Sequence, residues 1–215
     1  LKGFGAKTQA AILDNIAFAK SADQGRILWH DADAIVAQLL DWMRECPQVR
    51  RIEGAGSWRR GRETVGDIDL VVDSGDSAVV MDHLHAWRET SSVLLRGETK
   101  TSVRGPRGIQ IDLRVVDQAS FGAALQYFTG SKEHNVRLRS LAKDRGLLLN
   151  EYGVYPLHEE KEGAHASRAH SVAGASEEEV YAAVGLAWVP PELREGRDEI
   201  ALAERDALPV IRDRD

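Results

Sequence analysis

Two stretches near the start of the chain carry apolar residues at helical spacing. The first runs from Lys7 to about Phe18, and the second covers residues 35–43, where Ile, Val, Leu, Leu and Met recur every three to four positions. Side chains at this spacing lie on one face of a helix. We therefore predict two short amphipathic helices within residues 1–46.

Short apolar runs separated by Gly-rich turns replace this pattern after Cys46 and Pro47. A helical pattern from about Ser77 to Trp87 interrupts them. Four runs have the length and composition of β-strands, at residues 49–55, 67–72, 93–95 and 109–116. This mixture favours an α+β fold in which helices cover one side of a sheet.

Helical spacing returns in residues 119–215. The predicted elements are helices at 119–127 and 132–145, a small hairpin at 147–155 and a short helix at 177–184. Ser176 and Glu179 have the spacing of a capping box, which marks the start of the last helix. A third structural region is therefore expected after the strands.

Length and composition limit the class of protein. The chain has 215 residues, 43% hydrophobic and 29% charged, which is enough to bury a core without disulfides. No apolar run approaches the roughly 18 residues of a membrane span. The single cysteine, Cys46, cannot form an internal disulfide. We expect a cytoplasmic monomer without a membrane partner.

The net charge of -6 is unevenly distributed along the chain. Residues 1–115 contain 16 Lys and Arg against 16 Asp and Glu, whereas residues 116–215 contain 12 against 18. If cations occupy several acids of the first half, the remaining surface there is net positive. An acidic chain of this kind can therefore still bind a nucleic-acid backbone.

Three aspartates occupy positions where strands are predicted. Asp67 and Asp69 are separated by one residue, so their side chains lie on the same face of a strand. Carboxylates this close repel one another unless a cation or proton lies between them. Asp112 lies in a further apolar run, where a lone charge is costly. An Asp-x-Asp pair alone is common, but the three acids together predict one divalent-metal site.

A Gly-rich turn precedes these acids. Residues 54–61, Gly-Ala-Gly-Ser-Trp-Arg-Arg-Gly, end one predicted strand and lead into a short helix. Backbone N–H groups, the Ser57 hydroxyl and two guanidinium groups can together hold a triphosphate. An ordinary turn with solvated arginines is the alternative interpretation.

Triphosphates and carboxylates share an affinity for magnesium. In a two-metal site, one ion activates an attacking hydroxyl and the other neutralises the pyrophosphate leaving group. Turn and acids together therefore predict transfer from a nucleoside triphosphate, with two Mg²⁺ or Mn²⁺ ions as cofactors.

Two motifs resemble those of the family X DNA polymerases. Residues 56–69 have the form Gly-Ser-Trp-Arg-Arg-Gly, four residues and Gly-Asp-Ile-Asp, which resembles the nucleotidyltransferase signature of that family. Residues 127–135, Tyr-Phe-Thr-Gly-Ser-Lys-Glu-His-Asn, resemble its nucleotide-contacting segment. The resemblance implies a polymerase beta-like α+β fold. It places a helical fingers remnant in 1–46, a palm with a mixed sheet in 47–118, and a small α/β thumb with a C-terminal linker in 119–215.

The same resemblance implies roles for individual residues. Asp67, Asp69 and Asp112 would be the catalytic metal ligands, with Asp112 nearest the primer hydroxyl and Arg114 orienting it. Tyr127 and Phe128 would pack against the deoxyribose and Asn135 would donate to the base edge. The full nucleotide-binding set is Gly56, Ser57, Arg60, Gly66, Arg26, Tyr127, Phe128, Gly130 and Asn135.

Several positions depart from the pattern of polymerase beta. Lys132 and His134 stand where it has an acidic and an aromatic residue, and Gln110 replaces an arginine before the third aspartate. Details of nucleotide selection are therefore expected to differ.

The opening residues are similar to half of a helix-hairpin-helix motif. Gly3, Gly5, Lys7 and Thr8 would bind DNA phosphates through exposed amides and, by the resemblance, hold a monovalent cation. The chain starts without Met, and we expect it to be a segment of a longer polypeptide. The N-terminal 5'-phosphate-binding domain and the C-terminal PHP phosphoesterase domain of bacterial relatives are expected to lie outside it.

The resemblance implies template-directed addition of deoxynucleoside triphosphates to a primer in gapped DNA, for short-gap repair. Two alternatives stay open. One is a non-polymerase nucleotidyltransferase of the same superfamily, against which the Tyr-Phe-Thr-Gly segment argues. The other is a DNA-binding fragment that is inactive without flanking domains.

Overall fold

The computed structural model describes residues 25–157 and 171–211 of the chain. The predicted helix at residues 7–18 and the hairpin residues Gly3, Gly5, Lys7 and Thr8 lie outside these ranges.

The second predicted helix is confirmed and is longer than its apolar pattern. Helix α1 extends over Trp29–Arg44 and buries Ala32, Val36, Leu39 and Met43. Just before it, β1 (Ile27–Leu28) pairs with β3 (Thr64–Val65) in a two-stranded sheet. Elements this short carry no periodicity, and the sequence did not predict them.

A five-stranded mixed sheet forms the centre of the first half of the molecule, with the order β2-β4-β7-β6-β5. Its strands are β2 (Arg51–Gly54), β4 (Asp67–Asp73), β5 (Ser92–Arg96), β6 (Lys100–Arg104) and β7 (Gln110–Val116). The central pair, β4 and β7, is parallel and the other pairs are antiparallel. Four of the strands confirm predicted runs. Strand β6 escaped prediction because only one of its five residues is a large apolar one.

The two faces of this sheet differ in what covers them. Ile68, Leu70 and Val72 of β4 belong to one core together with α1 and the helix α3 (Ser77–His85). The opposite face is covered only towards the carboxyl ends of β4 and β7, where Val71 packs with residues of α4 (Phe121–Thr129). Helices therefore cover one face of the sheet at the amino ends of β4 and β7, where the acids lie, as expected. At the carboxyl ends of these strands they cover both faces.

A second core holds the last part of the chain. It contains residues from α4, α5 (Lys132–Asp144), the hairpin β8 (Leu147–Asn150) and β9 (Gly153–Pro156), α6 (Glu177–Ala183) and α7 (Glu199–Ala203). The predicted helices and hairpin of this region are confirmed. The Ser176 hydroxyl accepts from the Glu179 N–H, as the capping-box spacing predicts.

Gly122 lets two helices of this core, α4 and α6, pack closely. A Cβ atom at this position would lie 2.1 Å from the Ser176 carbonyl carbon, so only glycine allows α4 to approach the start of α6. Within the described residues, no helix is long and apolar enough to cross a membrane.

Candidate active site

Strand register brings the three predicted acids to one face of the sheet. In the parallel pair β4 and β7, Asp69 lies directly beside Asp112. Asp67 is two residues before Asp69 and therefore projects to the same side. This is the face that the helices leave open at the amino ends of the strands. The structure thus brings the three predicted acids together from two strands that are distant in the sequence.

Burial and mutual repulsion raise the pKa of two of the three carboxyl groups. Burial, and after it the charges of the neighbouring Asp67 and Asp112, raise the pKa of Asp69 to about 7, against smaller effects of Lys100 and Arg60. Burial and Asp112 also raise the pKa of Asp67, although Arg26 opposes this. Carboxylates held together at this cost are suited to a cation, whose charge removes the repulsion.

The carboxylate of Asp112 is held by Ser102, which the sequence did not single out, and by Gln110, which was noted only as a departure from polymerase beta. Ser102 Oγ donates to its Oδ1 atom, and Gln110 Nε2 donates to its Oδ2 atom at 2.9 Å. The guanidinium of Arg114 lies 5.0 Å from the centre of the Phe128 ring, and its role in orienting Asp112 stays a prediction. Ser102 escaped notice because its strand, β6, was not predicted.

The described parts of the chain contain no closed metal-binding group of three acidic, His or Cys side chains. Each oxygen of Asp112 accepts one hydrogen bond and keeps a lone pair that a cation could use. The donor set of carboxylates on one open face fits a hard divalent cation, whose preferred ligands are oxygen atoms.

The Gly-rich turn lies against the acids. Gly56 has φ +64°, and a Cβ atom there would lie 2.3 Å from Asp69 Oδ2. Only glycine therefore allows the short helix α2 (Gly56–Arg59) to begin beside this carboxylate. The Ser57 hydroxyl oxygen is buried and has no hydrogen-bond partner among the described residues. Buried polar atoms are normally paired, so the unpaired Ser57 hydroxyl suggests a polar ligand at the turn.

Two arginines border the turn, and both have protein partners. Arg60 Nε donates to Glu195 Oε1 at 2.9 Å, and its Nη1 atom donates to the Thr129 carbonyl at 2.5 Å. Arg26 donates to Thr64 and lies beside Gly66, where a Cβ atom would be 2.8 Å from Arg26 Nη1. The pair provides fixed positive charge close to the acids.

The other wall of the site comes from the second half of the chain. The rings of Tyr127 and Phe128 meet edge to face, with centroids 5.1 Å apart. Gly130 has φ +71°, which ends α4 and turns the chain into α5. The carboxamide of Asn135 is buried, with Nδ2 donating to the Tyr127 carbonyl at 2.7 Å.

One open cavity of about 690 Å³ joins these walls. Of the residues that the sequence predicts, it is lined by Arg26, Gly56, Ser57, Arg60, Asp67, Asp69, Tyr127, Phe128, Gly130 and Asn135. Asp69 also borders an adjoining space of about 40 Å³ together with Asp112, Arg114 and Lys100. Lys132, Arg139 and Glu195 line the main cavity as well, and sequence patterns gave no signal for Arg139 or Glu195.

The raised pKa of Asp69 gives a testable pH dependence of stability. The folded protein holds this proton more tightly than an unfolded chain with a pKa of 3.8, so cation-free protein should lose stability as the pH rises from about 4 to about 7. Millimolar Mg²⁺ should therefore raise the melting temperature by about 3 °C or more at pH 8 and by much less at pH 5.

Thermal melts at both pH values, with NaCl of equal ionic strength as the control, measure this difference. Asp69→Asn should remove it, because the amide neither titrates nor repels. Equal stabilisation by Mg²⁺ at pH 5 and pH 8 would contradict the assignment of Asp69 as a cation ligand.

The chain is similar in sequence to known DNA polymerases. The family model described as DNA polymerase beta thumb matches residues 124–195. DNA polymerase/3'-5' exonuclease PolX of Bacillus subtilis is 32% identical over 202 residues, which are 93% of this chain and 34% of that protein. DNA polymerase lambda of Rattus norvegicus is 26% identical over 159 residues, 65% of this chain and 28% of that protein. The chain thus spans about a third of the length of these curated relatives.

The fold is also similar to that of a solved structure. The crystal structure of Leishmania infantum polymerase beta in a ternary P/T complex superimposes with a TM-score of 0.69 at 22% identity. The similarity covers 91% of this chain and 95% of that one. The structural similarity therefore includes both the five-stranded sheet and the helical second half of the chain.

Proposed function

Because this chain belongs to the family X DNA polymerases, we propose that it adds deoxynucleotides to a primer 3'-hydroxyl under the direction of a DNA template. The products would be an extended primer and pyrophosphate. We further propose gapped DNA as the partner, short-gap repair as the context, a monomer as the working form and the cytoplasm as its place.

A single observation carries this proposal. One cavity combines carboxylates, an unpaired buried hydroxyl and an aromatic wall, namely Asp67 and Asp69, Ser57, and Tyr127 with Phe128. The acids suit a metal-bound triphosphate, and the aromatic pair suits a sugar and base. A nucleoside triphosphate has all these parts, so the cavity fits this class of substrate.

Members of family X use divalent metal ions. In this chain Asp67, Asp69 and Asp112 would hold them, and the ions would supply the Lewis-acid chemistry of phosphoryl transfer. We propose Mg²⁺ or Mn²⁺, two per site. The monovalent cation at the opening Gly3 to Thr8 segment also stays a proposal.

The residues of the chain itself would bind and orient the two substrates. Ser57, Arg60 and Arg26 would bind the triphosphate, because a hydroxyl and two guanidinium groups offer donors to its oxygens. Arg60 already donates to Glu195, which would compete with the triphosphate for its guanidinium. Asp112 lies apart from the phosphate side, in the adjoining space, and would face the primer hydroxyl.

The proposal is tested with a labelled primer on a one-nucleotide gap, supplied with Mg²⁺ or Mn²⁺ and one deoxynucleotide at a time. Extension by one template-matched nucleotide is the expected result. Addition to single-stranded DNA or tRNA without a template would favour the non-polymerase nucleotidyltransferase. DNA binding without extension, at low salt and high DNA concentration, would favour a binding fragment.

The aromatic wall gives a prediction on the sugar. Tyr127 lines the cavity beside Phe128, where we propose that the deoxyribose packs. Tyr127→Ala should open space for a 2'-hydroxyl and raise the ratio of ribonucleotide to deoxynucleotide incorporation by about tenfold or more. Tyr152→Ala is the control, since Tyr152 lies outside this cavity. An unchanged ratio in Tyr127→Ala would remove this residue from sugar selection.

A further inference from the structure

A chain of buried polar side chains leads from Glu199 in α7 to Asn135 at the cavity. His134 is fully buried and its Nδ1 atom lies 2.8 Å from Glu199 Oε1, while its Nε2 atom lies 2.8 Å from the Tyr181 hydroxyl. Gln126, which interacts with Tyr181, donates from Nε2 to Asn135 Oδ1 at 2.8 Å. We call this chain the orienting relay, and its members are Glu199, His134, Tyr181 and Gln126.

The donors and acceptors of the relay have one consistent arrangement. Glu199 accepts backbone N–H bonds from Gly196 and Arg197, and burial raises its pKa less than these bonds and the bond from His134 lower it. It is therefore ionised and can only accept, so His134 carries its proton on Nδ1. Burial lowers the pKa of His134, which leaves the ring neutral and Nε2 an acceptor.

The arrangement continues through the next two side chains. Because His134 Nε2 accepts, the Tyr181 hydroxyl donates to it and its oxygen is left to accept from Gln126. The second N–H of the same Gln126 amide donates to Asn135 Oδ1. The Tyr127 carbonyl, which can only accept, takes one N–H of Asn135. Both neighbours therefore require the same orientation of the Asn135 carboxamide.

This orientation leaves one N–H of Asn135 without a partner among the described residues. The Nδ2 group of Asn135 has two N–H bonds, and the Tyr127 carbonyl takes one of them. Asn135 lines the main cavity with Ser57 and Asp69. The relay thus presents an amide donor, and not a carbonyl oxygen, to whatever occupies the cavity.

Stability alone does not account for such a chain. Gln126 and Tyr181 are 2% and 0% exposed, and a well-packed apolar core at these positions would avoid the cost of burying polar groups. Fully paired networks of this kind impose a single arrangement on their members. Here the network fixes the orientation of Asn135, the side chain that a ligand in the cavity would contact.

We propose that the orienting relay positions the Asn135 amide as a donor to the minor-groove edge of the incoming base. The inference rests on the proposed function. All four bases carry an acceptor on that edge, N3 of purines or O2 of pyrimidines, so the contact tests the position of the base and not its identity. The relay members are positioning residues that act through Asn135.

The test combines Gln126→Met with dATP and 3-deaza-dATP, in which a C–H group replaces the acceptor N3. Methionine keeps the volume of Gln126 and removes both hydrogen bonds. Leu125→Met, in the same helix and equally buried, is the control for a change in packing. Incorporation opposite template thymine gives KM and kcat for each protein and substrate, using the whole 215-residue chain.

The unchanged chain should show a KM about fivefold higher for the 3-deaza substrate, the size expected for one neutral hydrogen bond. In Gln126→Met the KM for dATP should rise by a similar factor while that for 3-deaza-dATP stays the same, so their ratio approaches one. Leu125→Met should keep the ratio of the unchanged chain. A ratio that persists in Gln126→Met would overturn the proposal.

A second readout separates the relay from the proposed function. In the nucleotide-free protein, the side-chain NH₂ resonances of Asn135 should show slow hydrogen exchange that Gln126→Met accelerates about tenfold or more and Leu125→Met does not. Unaltered exchange in Gln126→Met would overturn the relay whatever the activity. If no primer is extended by the unchanged chain, the proposed function fails and this exchange measurement alone decides the relay.

Discussion

Replacing Asp112 with asparagine is expected to lower single-nucleotide incorporation by about a thousandfold or more, while DNA binding is retained. Asp112 lies beside Asp69 in the paired strands, and the substitution removes one of three charges that would hold the cations. Stabilisation of a phosphoryl-transfer transition state by such ions amounts to several kcal/mol, which corresponds to this loss of rate.

Single-turnover primer extension on saturating gapped DNA measures the effect on the chemical step. Asp41→Asn is the control, since Asp41 is an exposed residue of α1 that forms an ion pair with Arg44 of the same helix, and its replacement should leave the rate unchanged. Asparagine keeps the shape of Asp112, so the melting temperature should change little. Retention of a tenth or more of the rate would contradict the role of Asp112.

Glu177→Gln is expected to destabilise the fold by about 3–5 kcal/mol, the cost of breaking a buried ion pair. The Glu177 carboxylate accepts two bonds from Arg59, at 2.8 and 2.9 Å, and one from Arg194 at 2.6 Å. Arg194 is fully buried, so a neutral partner would leave its charge uncompensated. Because Arg59 belongs to α2 and Glu177 to α6, the change also loosens the contact between sheet and second core.

The effect should depend on pH in a defined direction. Burial raises the pKa of Glu177, but the bonds from Arg59 and the charge of Arg194 outweigh it and lower the pKa to about 2. Stability from this lowered pKa is present above about pH 4.5 and is lost as the pH falls towards 2.

Urea unfolding of both proteins should therefore show a difference that is large at pH 7 and shrinks below pH 4. Glu178→Gln, at the exposed neighbouring position, should cost no more than about 0.5 kcal/mol. Equal stability of the Glu177→Gln and Glu178→Gln proteins at pH 7 would contradict the buried ion-pair account.

The amino-acid pattern was sufficient to predict the acids of the site. Asp67 and Asp69 interrupt an apolar strand with the two-residue period that puts them on one face, and Asp112 interrupts another. Their convergence depends on the parallel pairing of β4 and β7, a long-range fact that local periodicity does not contain. The convergence was nevertheless expected because each acid is out of place in an apolar strand, and the resemblance to a family supported that step.

Contacts between distant parts of the chain could not be predicted in this way. Arg59 and Glu177 are 118 positions apart, and Arg60 and Glu195 are 135 apart. Neither glutamate stands out in the sequence, and the two arginines were interpreted as groups that hold a triphosphate. The contact of the Arg114 guanidinium with the Phe128 ring is of the same kind, because the ring comes from the other half of the molecule.

If this cavity transfers a nucleotide chosen by a DNA template, the templating base must decide which nucleotide is inserted. This is measured with one gapped substrate in four versions that differ only in the templating base, with all four deoxynucleotides and Mg²⁺ present. The inserted nucleotide should change to the complement in each version, and Asp112→Asn should insert none. Insertion of the same nucleotide opposite all four bases, or insertion that persists in Asp112→Asn, would contradict it.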